Sequence, residues 1–318
     1  MNEVVLLIGH GSRDEEGNAQ FLSAVSQMQQ RMPQWAIEAC FLEFASPNVS
    51  EGVRRCVLQG AARITAVPVL LLDAGHFTTD MPRELALAAQ RFPQAEIRYG
   101  RHLGFHEKIF RLLLQVLRAA GESPEAPREH TALLMVGRGS SDAVANSNFY
   151  KMSRLLWERT AYTAVENCFI GITRPTLDEG LERCFKLGME EVVVVPYFLF
   201  TGRLVKRIEA KVEEVRGRHP DVEFRLMPEF GLEQLLLDVL EERIREAVAG
   251  EASAAYCENC RMREMSEGTT RYAARLGHSH DHGHAHHHHH AQGQHSHGGA
   301  DAQCALKGCP SDPGKVQG

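Results

Sequence analysis

The sequence predicts an α/β protein made of two copies of one unit, each a mainly parallel four-stranded sheet flanked by helices, followed by a disordered C-terminal tail. Three observations carry that prediction. First, residues 4–21 (VVLLIGHGSRDEEGNAQF) and 132–149 (ALLMVGRGSSDAVANSNF) repeat each other at an offset of 128. Leu6, Gly9, Gly11, Ser12, Asp14, Asn18 and Phe21 recur as Leu134, Gly137, Gly139, Ser140, Asp142, Asn146 and Phe149, and Pro47, Gly52, Cys56, Gly60 and Pro68 recur as Pro175, Gly180, Cys184, Gly188 and Pro196. A repeat this long marks a duplicated unit of domain size. Second, each copy alternates short apolar, β-rich runs with longer amphipathic stretches, the pattern of βαβ units. Third, the periodicity stops near residue 250, and the histidine-rich composition beyond it cannot build a packed core.

Taken in order, the first copy is expected to place strands at 3–8, 36–44, 63–71 and 95–99, with helices at 17–31, 49–60, 82–92 and 105–119. The Gly121-to-Arg128 stretch, rich in turn formers and charge, reads as a linker. The second copy is expected to place strands at 132–136, 163–172, 191–199 and 222–227, with helices at 144–160, 176–187, 203–217 and 231–248. Its Val192–Val195 run is continuously apolar, as in a strand covered on both faces. The implied organisation is a first domain at 1–120, a linker at 121–130, a second domain at 131–249 and a tail at 250–318.

Composition narrows the function. Hydrophobic residues at 43% and charged residues at 24% are ordinary for a soluble globular protein, and a formal net charge of −6 argues against nucleic acid as the partner. The apolar run Val4–Ile8 is too short for a signal segment or a membrane span. A cytoplasmic location follows, and there eight cysteines do not form a disulfide framework. Cys40, Cys56, Cys168 and Cys184 fall in the apolar body and read as small buried hydrophobes.

The duplication is also a control: a reactive side chain found in one copy alone points to chemistry. His10 becomes Arg138, Glu43 becomes Gly171, and His76 becomes Arg203 after a one-residue gap. Imidazole binds divalent metals and accepts protons near neutral pH. Guanidinium does neither, but pairs well with carboxylates. All three first-copy residues are expected at carboxyl ends of parallel strands, the edge where open α/β sheets hold ligands.

The Gly-His-Gly-Ser-Arg opening, the Pro-Val-Leu-Leu segment leading to Gly75-His76, and Asp80-Met-Pro-Arg83 resemble the class II chelatases of tetrapyrrole synthesis, and within them the long-form sirohydrochlorin cobaltochelatases. The resemblance covers residues 1–248, and the tail by composition. It implies two fused chelatase-like units with one active centre, insertion of Co2+ into sirohydrochlorin, and His10 and His76 as the active-site pair with Glu43 as a third member. Related enzymes insert Fe2+ for sirohaem, or Ni2+. Imidazole suits all three metals. Either histidine fits as metal ligand, and either as acceptor of a pyrrole proton.

A flat macrocycle ringed with carboxylates needs an apolar slot with cationic rims. Arg13, Arg83, Arg138, Arg203 and Lys206 are candidate rim cations, with Ser12 beside them; if the copies face each other as a pseudo-dimer, Arg138 and Arg203 reach across from the altered half. His102 and His106 are four apart, but Gly104 between them argues for a loop with rim or capping roles.

In the tail, residues 278–297 read HSHDHGHAHHHHHAQGQHSH, interspersed unlike a purification tag, and suit a disordered metal buffer or feeder. Cys257, Cys260, Cys304 and Cys309 could hold Zn2+ or, as the resemblance favours, a 4Fe-4S cluster; free cysteines are the remaining reading. A metal-storage protein does not explain why His10 and His76 occur in one copy only, and a histidine phosphatase wants an arginine where Gly9 precedes His10. The expected partners are sirohydrochlorin and a divalent metal, without nucleic acid or membrane, in a monomer.

Overall fold

The computed structural model describes residues 2–72 and 75–250, with the backbone alone over 75–78. The tail cysteines and the histidine tract lie outside the described residues. The first repeat runs β1 (Glu3–Gly9), α1 (Glu15–Arg31), β2 (Ala36–Phe41), α2 (Val49–Leu58), β3 (Arg63–Pro68), α3 (Gly75–Arg91), β4 (Glu96–Tyr99), α4 (Glu107–Ala119). The second runs β5 (Arg128–Gly137), α5 (Ala143–Glu158), β6 (Tyr162–Phe169), α6 (Leu177–Lys186), β7 (Glu191–Pro196), α7 (Arg203–Arg218), β8 (Glu223–Leu226), α8 (Gln234–Ala249). Each repeat forms a four-stranded sheet, ordered β2-β1-β3-β4 and β6-β5-β7-β8, and every pairing is parallel.

Both sheets are covered on both faces, which is why their central strands are apolar throughout. Side chains alternate faces along a strand, so β1 serves two cores. Val4, Leu6 and Ile8 pack with Cys40, Val53, Cys56 and Met81 in an outer core under α2 and α3. Ala132, Leu134 and Val136 do the same with Cys168, Cys184 and Val212 in the second repeat. Val5 and Leu7, however, share a central core with Leu133 and Met135 of β5, together with residues of α1, α4, α5 and α8. Helix α8 packs on β3, α1 and α4 of the first repeat. Its Arg243 is buried and donates to the carbonyl of Leu103 at 2.9 Å, and its Glu242 receives Lys108 at 2.5 Å. The stretch around residues 121–127 therefore separates repeats in sequence, not cores in space.

Cys40, Cys56, Cys168 and Cys184 are free thiols, each fully buried, as expected of small hydrophobes. Burial pushes Cys56 and Cys184 up to about 12, so all remain protonated.

Several boundaries differ from those expected. The strands at 36–44, 63–71, 163–172 and 191–199 stop at Phe41, Pro68, Phe169 and Pro196. The apolar runs continue because Val69, Leu71, Tyr197 and Leu199 leave the sheet while staying in the central core. Strand β5 starts at Arg128, inside the expected linker, with an irregular register between Arg128 and Ala132. Helix α3 starts at Gly75 rather than at 82 and carries Pro82 inside it. A proline looks like a helix start because its missing N–H costs least there. Among the described residues no helix is long and apolar enough to cross a membrane.

Candidate active site

Three loops at the carboxyl edge of the first sheet build the site. Strand β1 delivers the chain to His10 and Gly11. Gly11 sits at φ 86°, and a β-carbon there would lie 1.8 Å from the carbonyl oxygen of Glu43. Only glycine permits that approach. The Leu42 N–H donates to the Gly9 carbonyl and the Glu43 N–H to the His10 carbonyl, both at 2.9 Å. Glu43 is thus brought beside His10 from two residues past the end of β2, not from its last residue.

The turn into α1 closes on itself. Asn18 Oδ1 accepts the Ser12 N–H at 2.9 Å, its Nδ2 donates to the Ser12 carbonyl at 2.8 Å, and the Ser12 hydroxyl accepts the Asp14 N–H at 2.9 Å. Ser140, Asp142 and Asn146 repeat the three bonds. These shared residues serve the turn and the α1 and α5 caps, and that accounts for the Ser12 hydroxyl.

The positions that differ between repeats meet. His10 Nδ1 lies 2.8 Å from the Gly11 carbonyl and Nε2 lies 3.0 Å from Nη1 of Arg138. A carbonyl only accepts and a guanidinium only donates. That pairing suits a neutral imidazole with its proton on Nδ1, and Nε2 faces the second repeat. Arg138 is solvent-exposed in part, yet the surrounding protein desolvates it enough to hold its pKa below the usual arginine range, against the opposing pull of the Glu43 carboxylate.

Two exposed apolar residues sit on the loops just after Glu43 and Gly171, and sequence reading missed both. Phe44 is 54% exposed, sits at φ 60°, stacks on His10 with centroids 6.2 Å apart, and carries the Arg13 guanidinium 4.9 Å above its ring. A bulky residue with positive φ is strained and such strain gathers at functional sites. Ile172, its counterpart at the same offset, is 56% exposed and follows Gly171, whose β-carbon position abuts the Arg138 carbonyl. The signal available in the sequence was the offset itself: both positions are large and apolar next to the one carboxylate that changes.

The other expected site residues lie on α3 and α7 and at the N-cap of α4. His76 is the second residue of α3, at the carboxyl edge of β3, the neighbour of β1; its side chain lies outside what the structure describes. Arg203 is exposed at the first position of α7, whose preceding Gly202 abuts the Ser12 hydroxyl. Lys206 is committed to Asp14 and Glu16 at 2.7 and 3.1 Å, clamping α7 to α1. Arg83 is not in an early turn: eight residues into α3, it stands about 12 Å along the helix from its start. His106 caps α4, Nδ1 accepting the Lys108 N–H at 3.1 Å and Nε2 facing Glu242 at 2.9 Å. Among the described residues no three His, Cys, Asp or Glu side chains gather as a metal site.

Two facing parallel repeats, with one imidazole-bearing loop turned toward an arginine-bearing counterpart, define a duplicated chelatase-like fold. The chain belongs to the CbiX family, whose model matches residues 4–120 and 132–247. It is 44% identical over 264 residues to a sirohydrochlorin cobaltochelatase of Priestia megaterium, covering 81% of this chain and 84% of that protein. It is 30% identical to a sirohydrochlorin ferrochelatase of Bacillus subtilis, covering 78% and 93% respectively. Among solved structures it is similar to SirB from Bacillus subtilis with Fe3+, at a TM-score of 0.68 and 28% identity, covering 79% of this chain and 97% of that one.

Proposed function

We propose that this chain is a sirohydrochlorin cobaltochelatase: it inserts Co2+ into sirohydrochlorin with release of two pyrrole protons. The observation that carries this reading is the placement of His10, whose Nε2 is turned toward Arg138 of the other repeat. Iron insertion is the second reading, supported by identities of 35% and 30% to two ferrochelatases; the 44% identity to a cobaltochelatase favours cobalt.

In this reading residues 1–120 supply the metal-handling half. His10 and His76 deliver the ion, at least one accepts a pyrrole proton, and Glu43 orients a histidine or takes up a proton. Residues 131–249 supply the opposite wall. Phe44 and Ile172 contact the faces of the macrocycle, and Arg13, Arg138 and Arg203 take its carboxylates. Ser12 shapes the turn that follows His10, and Arg83 is a rim cation farther along α3. Cys257, Cys260, Cys304 and Cys309 would together supply four thiolates, which suit a 4Fe-4S cluster or Zn2+. The histidine tract concentrates metal, and reduced body thiols fit a cytoplasmic monomer.

Purified chain is incubated anaerobically with sirohydrochlorin and Co2+, Fe2+ or Ni2+ in turn, and insertion is followed by the change in the macrocycle's absorption. Wild type turns over, fastest with Co2+, and His10→Ala falls by at least about a hundredfold, the order expected for a lost proton acceptor or donor group. No insertion with any metal, or full turnover by His10→Ala, overturns the reading.

A further inference from the structure

A second set of differences between the repeats meets away from His10 and Arg138. Glu16, Gly17 and Gln20 of α1 stand where the second repeat has Val144, Ala145 and Asn148, and Lys206 of α7 stands where the first, after the one-residue gap, has Thr79. All four act at one contact between repeats, the seat of the α7 entry turn on α1. The Thr201 N–H donates to Gln20 Oε1 at 2.8 Å, the Phe200 ring meets the Phe21 ring edge-on with centroids 6.4 Å apart, and Lys206 pairs with Asp14 and Glu16. A β-carbon at Gly17 would lie 2.3 Å from the Thr201 carbonyl oxygen. Glycine weakens a helix relative to alanine, and here it admits a backbone that alanine would exclude. Ala145 carries the β-carbon that Gly17 lacks, so this approach is built into α1 and not into α5. The seated turn ends at Arg203, and its Gly202 abuts the hydroxyl of Ser12, two residues from His10.

We propose that Gln20, admitted to this contact by Gly17, is a positioning residue for the macrocycle: it seats the Phe200-to-Arg203 turn on the first repeat, so that Arg203 stands beside the His10 loop to pair with a macrocycle carboxylate. The arginine side chain is exposed; what is held is the backbone beneath it. A guanidinium pairs with a carboxylate through two parallel bonds only when its stem is in register, and a stem on a loose turn must be ordered at the moment of binding, which weakens the pair. The Thr201 N–H lies ahead of α7, where no carbonyl of that helix can take it, and the Gln20 side chain supplies the missing acceptor. This rests on the chelatase reading above, in which Arg203 takes a carboxylate.

The test is the initial rate of insertion by full-length wild type, Gln20→Leu, Gln20→Glu, Arg203→Ala and the double variant Gln20→Leu with Arg203→Ala, varying sirohydrochlorin at saturating Co2+ and then the reverse. Gln20→Leu is expected to raise the KM for sirohydrochlorin by about tenfold, the size of one hydrogen bond to a charged group, and to leave the KM for Co2+ unchanged. Gln20→Glu keeps an acceptor oxygen and is expected to restore the wild-type value. The double variant is expected to match Arg203→Ala within about twofold, because the effect of Gln20 passes through that arginine. An unchanged sirohydrochlorin KM in Gln20→Leu, or a double variant in which the two losses multiply, overturns the positioning role and leaves the chelatase reading standing. Equal rises in both KM values, or a fall in kcat alone, mark general damage and overturn it as well. Absence of insertion by wild type overturns the chelatase reading and this role with it. Gln20→Ala, which adds no bulk, takes the place of the leucine variant if that chain misfolds.

Discussion

A β-carbon at Gly171 would lie 2.2 Å from the carbonyl oxygen of Arg138. Its backbone neighbour cannot yield as a side-chain end would. Gly171→Ala is therefore expected to destabilise the chain by about 1–3 kcal/mol, the usual cost of forcing atoms into filled space, read as a lower midpoint in denaturant unfolding; an unchanged midpoint would remove the steric argument. The same contact bars a carboxylate from this position, so restoring histidines at 138 and 203 leaves the second repeat without its third member. The sequence shows that glutamate became glycine; it does not show that the loops close where the side chain stood. Phe44 was illegible for a related reason. In Phe41-Leu-Glu-Phe44 an apolar residue reads as more strand, and only the backbone turn after Phe41 exposes it.

At the scale of the element, the His106 cap of α4 gives the fold a pH dependence. Burial of the ring is the main cause of its lowered pKa, reinforced by Arg243 and opposed by Glu242. The neutral ring is favoured in the folded chain, so the unfolded chain binds more protons once the pH drops below the ordinary histidine value of about 6.5. Its stabilising contribution is present above that value and lost on acidification. His106→Asn, which keeps a capping acceptor, is expected to flatten the fall in stability between about pH 7 and pH 5, measured by denaturant unfolding at each pH; parallel curves for the two chains would exclude the effect. Element type and order were legible throughout, because parallel strands buried on both faces and amphipathic helices leave unlike patterns. Ends were less so. Hydrophobicity reports burial, and Val69–Leu71, Tyr197 and Leu199 are buried without being in a sheet.

Across the whole molecule, the duplication was plain but the fusion of the two cores was not. Repeat patterns within each copy say which face of a helix is apolar, and nothing about which sheet it covers. Helix α8 buries Leu236, Leu240, Ile244 and Ala247 against the central core shared by both repeats. Ile244→Ala, at a position with no exposure, is expected to cost about 2–5 kcal/mol while unfolding remains a single transition. Two separated transitions would show that the repeats are stable apart.

Because α8, the last of the described helices, seals the sheet built by the first strands, the two repeats close on one another rather than hang like beads. Gene fission in the stretch near residue 124 would yield two orphan fragments, each carrying a bare greasy flank shaped for its lost sibling. Made together they would reassemble; made singly they would precipitate. The repeat that carries His10 and the repeat that carries Arg138 are thus expected to stay in one gene because they share a core, and the second is free to drift at its loops so long as that packing is kept.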